Sequence, residues 1–190
     1  SHFYGTNREP TLSSVGLSAD GTVVFIPEYE LINQPSIDLQ YTRGAWLWKL
    51  ESLFRQGQKN ALGREQNYYS FVGGFEYNNF GILETNLDLG LLIEYMRDSR
   101  LNKSTDSLQH DVFSGVRLTF NDEADTQALA GVIQDLQEST RQFVVEASRR
   151  INDSVRASLE LQILSSVERG DIFSDLREDD FLRFEIAYYY

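Results

Sequence analysis

The chain has 190 residues, a formal net charge of −12, no Cys, two His and three Pro. Hydrophobic residues at 41% and charged residues at 24% exclude a chain disordered by composition. The absent Cys excludes a disulfide framework, a thiolate nucleophile and a Cys-ligated metal, and the acidic balance argues against nucleic acid as a partner, because phosphate binding wants a basic face.

The length allows one domain over residues 1–190, or a piece of a larger one. A start at Ser1, with neither Met nor a signal peptide, is expected of a processed or truncated chain. No uncharged apolar run approaches the roughly 20 residues of a membrane-spanning helix. The longest candidates, residues 89–93 and 128–133, are far too short. Barrel strands escape such a scan, since they alternate and each carries a weak signal.

The first quarter is the least regular. His2 to Asn7 reads as one strand. Residues 10–20 are rich in Ser, Gly and Thr and read as a loop. Residues 23–26 read as a short strand or an external hairpin arm, interrupted by Pro27. Residues 8–35 as a whole are expected to be an irregular loop and hairpin region.

From Ser36 the period is two. Ile37, Leu39 and Tyr41 alternate with Asp38, Gln40 and Thr42; Trp46, Trp48, Leu50 and Phe54 with Lys49, Glu51 and Arg55. Tyr69, Phe71, Phe75 and Tyr77 alternate with Ser70, Gly74, Glu76 and Asn78; Leu87, Leu89, Leu91, Ile93 and Tyr95 with Asp88, Gly90, Glu94 and Asp98. Val112, Val116, Leu118 and Phe120 alternate with Asp111, Gly115, Arg117 and Thr119. In residues 126–136, Gly131 and Asp135 fit a polar face that Leu129 and Ile133 share. A helix over residues 125–139 competes there, but Gly131-Val132-Ile133 is poor helix material, so the segment reads as a strand. Phe143, Val145 and Ala147 then oppose Gln142, Glu146 and Ser148. Val155 to Ile163 alternates with Arg156, Ser158, Glu160 and Gln162, and Leu182 to Tyr190 with Arg183 and Glu185. Alternation over this many segments means half-apolar strands, about ten in all.

The links sort by parity. Residues 43–44, 79–86, 121–125 and 151–154 are tight to medium. Residues 56–66, 99–110, 137–141 and 168–180 alternate with them and are mostly longer. An up-and-down membrane barrel gives this rhythm, with short periplasmic turns and longer external loops. The polar faces carry small residues beside charges: Gly74, Gly90, Gly115, Gly131, Ser70, Ser114 and Ser148 lie on or near them. A water-facing strand has little use for so many Gly. Aromatics gather at strand ends, as interfacial girdles do: Trp46, Trp48, Tyr68, Tyr69, Phe80 and Tyr188 to Tyr190. Trp46, Trp48, Tyr69, Tyr188 and Tyr190 are the expected membrane-interface set. A soluble barrel with an aromatic core, binding an apolar ligand, remains the alternative on period alone.

Residues 44–51 (Gly-Ala-Trp-Leu-Trp-Lys-Leu-Glu), 88–95, 111–118 and 146–150 resemble stretches of an uncharacterised, porin-like family of Gram-negative outer-membrane proteins. The resemblance runs from about Phe3 to the end. It implies the C-terminal part of a longer barrel in the cell outer membrane, facing lipid and lipopolysaccharide; it supplies no activity. The last strand, Phe181 to Tyr190, also resembles the C-terminal signal that the outer-membrane assembly machinery reads, with Tyr in place of the usual terminal Phe.

The residues expected to line a pore are Lys49, Glu51, Arg55, Glu76, Asp88, Glu94, Asp98, Arg117, Glu146, Arg156, Glu160, Arg183 and Glu185, with Asp111 and Asp135 on the same face. They form either a ladder of cross-strand ion pairs filling a narrow lumen or a wet passage whose charges steer solutes. No enzyme is expected: His2 and His110 are the only imidazoles, and no phosphate-binding Gly loop occurs. Asp122-Glu123 and Asp179-Asp180 lack the spacing of a calcium loop, and Asp171, Asp175, Glu178, Asp179 and Asp180 read as a solvated acidic loop, so no cofactor or metal is expected. The reading is thus an antiparallel up-and-down transmembrane β-barrel, whole or part of a larger one. It acts in porin-like passage of small solutes, or as a non-conducting structural or adhesion barrel working through loops 99–110 and 168–180. The oligomeric state is not written in the sequence.

Overall fold

Strands follow the period-two segments closely. The computed structural model describes residues 1–8, 10–18, 20–60, 64–101, 108–168 and 173–190. Its strands are β1 (His2–Thr6), β2 (Thr11–Leu17), β3 (Val23–Glu28), β4 (Leu31–Arg43), β5 (Trp46–Lys59), β6 (Glu65–Asn79), β7 (Asp88–Asp98), β8 (His110–Thr119), β9 (Gln127–Asp135), β10 (Arg141–Asn152), β11 (Val155–Ser165) and β12 (Phe181–Tyr188). Among the described residues helix is limited to short 3-10 turns, those at Ile82–Glu84 and Ser174–Leu176 among them.

Among the described residues, ten strands form one antiparallel sheet in the order β1-β4-β5-β6-β7-β8-β9-β10-β11-β12, and β2 pairs only with β3. From β4 onward each strand pairs with its neighbour in sequence, the meander that the link lengths imply. The competing helix over residues 125–139 does not form; β9 occupies that place.

Three expectations about the strands need correction. The hairpin expected within residues 8–35 is present, but Thr11–Leu17 is strand where a loop is expected. β2 and β3 make a hairpin, with a register shift between Ser14 and Gly16, and Pro27 pairs within it opposite Leu12. Ser and Gly hid β2 from an apolar pattern, and Pro27 is tolerated because a two-stranded sheet has only edges. Of the expected link 56–66, residues 56–59 and 65–66 are strand as well, since β5 and β6 pair out to Lys59 and Glu65 past a bulge between Arg55 and Gln58. Gly57, at φ 86, supplies the left-handed residue there.

The third correction is closure. β1 covers β4 only from Leu31 to Pro35. Among the described residues, neither the rest of that β4 edge nor the far edge of β12 has a strand partner. The sheet is open where a closed barrel is expected. Closure joins strands that no turn connects, so alternation within strands does not encode it.

The sheet has two ends. Links β4–β5, β6–β7, β8–β9 and β10–β11 lie at the turn end. Links β5–β6, β7–β8, β9–β10 and β11–β12 lie at the loop end with the β2–β3 hairpin, whose Thr11 hydroxyl donates to the Lys59 carbonyl (3.5 Å). The loops at 99–110 and 168–180 fall partly outside the described residues, as do Asp171 and the side chain of Asp175.

Candidate functional site: the polar face of the sheet

The register settles which side chains share a face. Trp48 opposes Phe75, which opposes Ile93, then Ser114, Val132, Phe143 and Ile163. One residue along, Lys49 opposes Gly74, then Glu94, Phe113, Ile133, Gln142 and Leu164. The first row belongs to an apolar face on which Ile37, Leu39, Tyr41, Trp46, Trp48, Leu91, Ile93, Val116, Phe143, Phe184 and Ile186 are exposed. The second belongs to a polar face that is the better buried: Glu76, Leu92, Met96, Asp98 and Asp111 are all at most 7% exposed.

Among the described residues the buried apolar side chains are Ile32, Tyr68, Leu92, Met96 and Leu164. Each large apolar side chain left in water forgoes roughly 1.5–3 kcal/mol. A sheet with this distribution has its apolar surface on the outside.

Every expected pore-lining residue lies on the polar face, and the structure joins six of the thirteen in three cross-strand ion pairs. Lys49 and Glu94 face each other across Gly74 at 4.0 Å. A Cβ at Gly74 would come within 2.8 Å of the Glu94 Cα. Arg117 donates from Nη1 to both Glu76 oxygens, at 2.8 and 2.9 Å, over the strand that carries Gly90. Arg183 pairs with Glu160 directly opposite on β11, and Arg156 reaches Asp125 in the β8–β9 turn at 2.7 Å. The glycines beside charges therefore have a function: they leave room for ion pairs to span the sheet. Asp88 serves the turn end instead, accepting from the Gly81 N–H (2.9 Å) and the Asn121 amide (2.8 Å). Glu51 and Glu146 carry no ion pair among the described residues. Glu185 lies where its charge acts on Arg183.

At the loop end the polar face closes into a dense network that the sequence reading missed. Tyr68, expected among the interfacial aromatics, is buried on the polar face; of the Tyr68-Tyr69 pair, Tyr69 alone is on the apolar one. The Tyr68 ring has the Arg100 guanidinium 3.7 Å from its centroid and that of Arg55 at 5.6 Å. Arg100 grips Asp98 through Nη2 at 2.6 Å. The Tyr68 hydroxyl donates to Gln58 (3.1 Å), and Arg55 donates to Gln58 (3.0 Å) and Gln34 (2.7 Å). A Tyr-Tyr pair at the strand start held the signal, since alternation must send one of them inward.

Ser114 is also reassigned: it lies on the apolar face, and Phe113 turns to the polar one. Phe113 fits there because Gly115 and Gly131 oppose each other beside it. A Cβ on Gly115 would meet the Phe113 ring at 2.6 Å.

Trp46, Trp48, Phe75 and Tyr77 pack as one aromatic cluster at the turn end, with Trp46 and Trp48 stacked at 5.6 Å. Tyr188 lies at the same end opposite Val155, with Tyr190 beyond the strand. Among the described residues no group of His, Cys, Asp or Glu is placed to hold a metal ion, and no helix is long and apolar enough to cross a membrane. No protein family, curated protein or solved structure matches the chain.

Proposed function

We propose that this chain forms all or part of the wall of a transmembrane β-barrel in a bacterial outer membrane, and that the barrel provides passive passage for small solutes. The observation that carries the reading is the inverted sheet. Its exposed face is apolar on successive strands from β4 to β12, with Arg43, Arg97, Arg141 and Arg149 only toward the strand ends, while the mid-strand charges lie on the better-buried face. β8 has 10 residues, within the roughly 9–11 that a tilted strand needs to cross a bilayer. The turn-end aromatic cluster then marks one membrane interface.

In lipid the open edges of β4 and β12 would each leave backbone groups unpaired, at several kcal/mol apiece. The reading therefore requires closure, with β12 meeting β1 or an additional strand. β12 runs antiparallel to β1 in the observed meander, so closure keeps an all-antiparallel wall with an even strand count. Catalysis has no place in this function.

A non-conducting barrel that works through its external loops is the second reading. The Arg55–Tyr68–Arg100–Asp98 network favours it, because it fills the loop-end mouth of the polar face. A soluble barrel around an apolar ligand is disfavoured by the same inversion. The test is reconstitution of the full chain into liposomes and planar bilayers. Heat-modifiable, protease-resistant insertion with stepwise conductance supports the pore; insertion without conductance transfers the case to the second reading. A protein that stays monomeric and folded in water without detergent overturns both.

A further inference from the structure

We infer that the passage along the polar face favours cations over anions, an inference that rests on the proposed pore. The ground is an asymmetry in how the two signs of charge are used.

Lys49, Arg117, Arg156 and Arg183 are each spent on a carboxylate in the ion pairs described above. The remaining bases of the face stand at its two ends. Arg55 and Arg100 lie against Tyr68 in the loop-end network, and Arg150 gives its guanidinium to the Glu123 carbonyl in the β8–β9 turn.

The middle of the face differs. Asp38 and Glu51 oppose each other directly on β4 and β5, and Glu146 opposes Glu160, whose charge Arg183 already takes. None of Asp38, Glu51 and Glu146 has an ion pair among the described residues. Like charges directly opposite destabilise a sheet. They are tolerated where water and mobile counter-ions fill the space between them. Such space exists on both flanks. A groove of about 330 Å³ borders Asp38 and Glu51, and one of about 470 Å³ borders Glu146.

At mid-height the uncompensated charge is therefore negative on both flanks of the sheet. One unneutralised carboxylate about 4 Å away in water enriches a monovalent cation about fivefold, before salt screening. A solute crossing this region meets carboxylates without partners and guanidinium groups already occupied.

The experiment is the reversal potential of the full chain in planar bilayers under a KCl gradient. It compares the parent with the triple variant Asp38→Asn, Glu51→Gln, Glu146→Gln, each first shown to be folded by its heat-modifiable gel shift. A K⁺ to Cl⁻ permeability ratio of several-fold, falling toward unity in the triple variant with conductance retained, supports the inference. A parent channel without cation preference, or a preference the triple variant keeps, overturns it and leaves the pore reading standing. Folded, inserted protein that never conducts overturns the pore reading and the inference with it.

Discussion

Arg117 on β8 reaches over β7 to hold the Glu76 carboxylate on β6 at 2.8 Å, and Gly90 lies beneath the bridge. A Cβ at Gly90 would stand 3.2 Å from the Glu76 carboxylate and 3.0 Å from the Asn78 amide oxygen. We expect Gly90→Val to destabilise the folded protein by about 1–3 kcal/mol through overpacking. We expect Arg117→Ala to cost a similar amount, since it strands a carboxylate that is only 6% exposed; the figure stays low because Arg117 itself is partly solvated. In an Arg117→Ala background, where Glu76 is free to move aside, Gly90→Val should cost measurably less. Urea titrations of the four proteins in liposomes give the coupling, and strict additivity would remove the role assigned to Gly90.

Face assignment is testable on one strand. Leu91 is exposed on the apolar face, and Glu94, three residues on, lies on the polar face opposite Gly74. In a bilayer, Leu91→Arg places a cation against lipid at roughly 2–4 kcal/mol. Glu94→Gln loses only the 4.0 Å contact with a partly solvated Lys49, worth about 0–1 kcal/mol. Equal shifts in the urea midpoint would mean that the faces are assigned the wrong way round.

The ten strands of the main sheet were legible because period two needs only the local sequence. β9 was the hardest, and its register says why. Leu129 and Ile133 occupy the polar face, Ile133 opposite Phe113 and beside the Gly115–Gly131 pair. An apolar patch inside a charged face blurs alternation on every strand that contributes to it, which also explains why Ser114 was placed on the wrong side. Which of the charges share the polar face was legible residue by residue. Their pairing was not, because Arg117 and Glu76 are 41 residues apart and meet over an intervening strand. β2 was hidden by Ser and Gly, and Arg100 by lying two residues past the end of its strand.

The β8–β9 turn carries a titration signature outside the apolar band. Thr126 donates its N–H (2.8 Å) and its hydroxyl (2.7 Å) to the Asp122 carboxylate. Both bonds favour the ionised form and hold this carboxyl below its ordinary value of 3.8. The folded state therefore takes up the proton less readily than the unfolded chain. Its contribution to the turn is complete above about pH 4 and is lost as pH falls through the depressed folded value. Carboxyl NMR on selectively labelled protein should show Asp122 titrating below a free Asp, and Thr126→Val should return it toward the ordinary value. An Asp122 that titrates normally would mean the turn is not held this way.

The absence of Cys makes sidedness simple to read. Leu108 precedes β8 and Glu178 precedes β12, both at the loop end, whereas Asp153 lies in the β10–β11 turn at the other end. With single substitutions, an impermeant maleimide should label Leu108→Cys and Glu178→Cys on intact cells, and Asp153→Cys only after permeabilisation. Labelling of Asp153→Cys on intact cells, or of only one loop position, would break the link between sheet ends and membrane sides.

The last strand offers the test with the widest reach. Among the described residues β12 has one strand partner, β11, and its apolar positions Leu182, Phe184, Ile186 and Tyr188 oppose Leu161, Leu159, Ala157 and Val155. Those side chains are all more than 60% exposed, as is Tyr190 beyond the strand. Tyr189 extends the ladder through its N–H to the Ser154 carbonyl at 2.7 Å. Removing Tyr188 to Tyr190 thus deletes the turn-end tip of the β11–β12 ladder and three exposed rings, and leaves the ion pairs of the polar face in place. If those Tyr are ordinary interfacial residues, the truncated protein still reaches the outer membrane and merely unfolds at lower urea. If this end is also what the assembly machinery reads, folded protein disappears from outer-membrane fractions, although the same variant refolds from urea into detergent. Asp179→Asn, in the preceding loop, should leave both measurements unchanged. Quantifying the heat-modifiable band in membrane fractions beside the refolding yield separates the two roles. Normal amounts of truncated protein in the outer membrane would remove the assembly role, and failure to refold in vitro would mean that β12 is held by more than its pairing with β11.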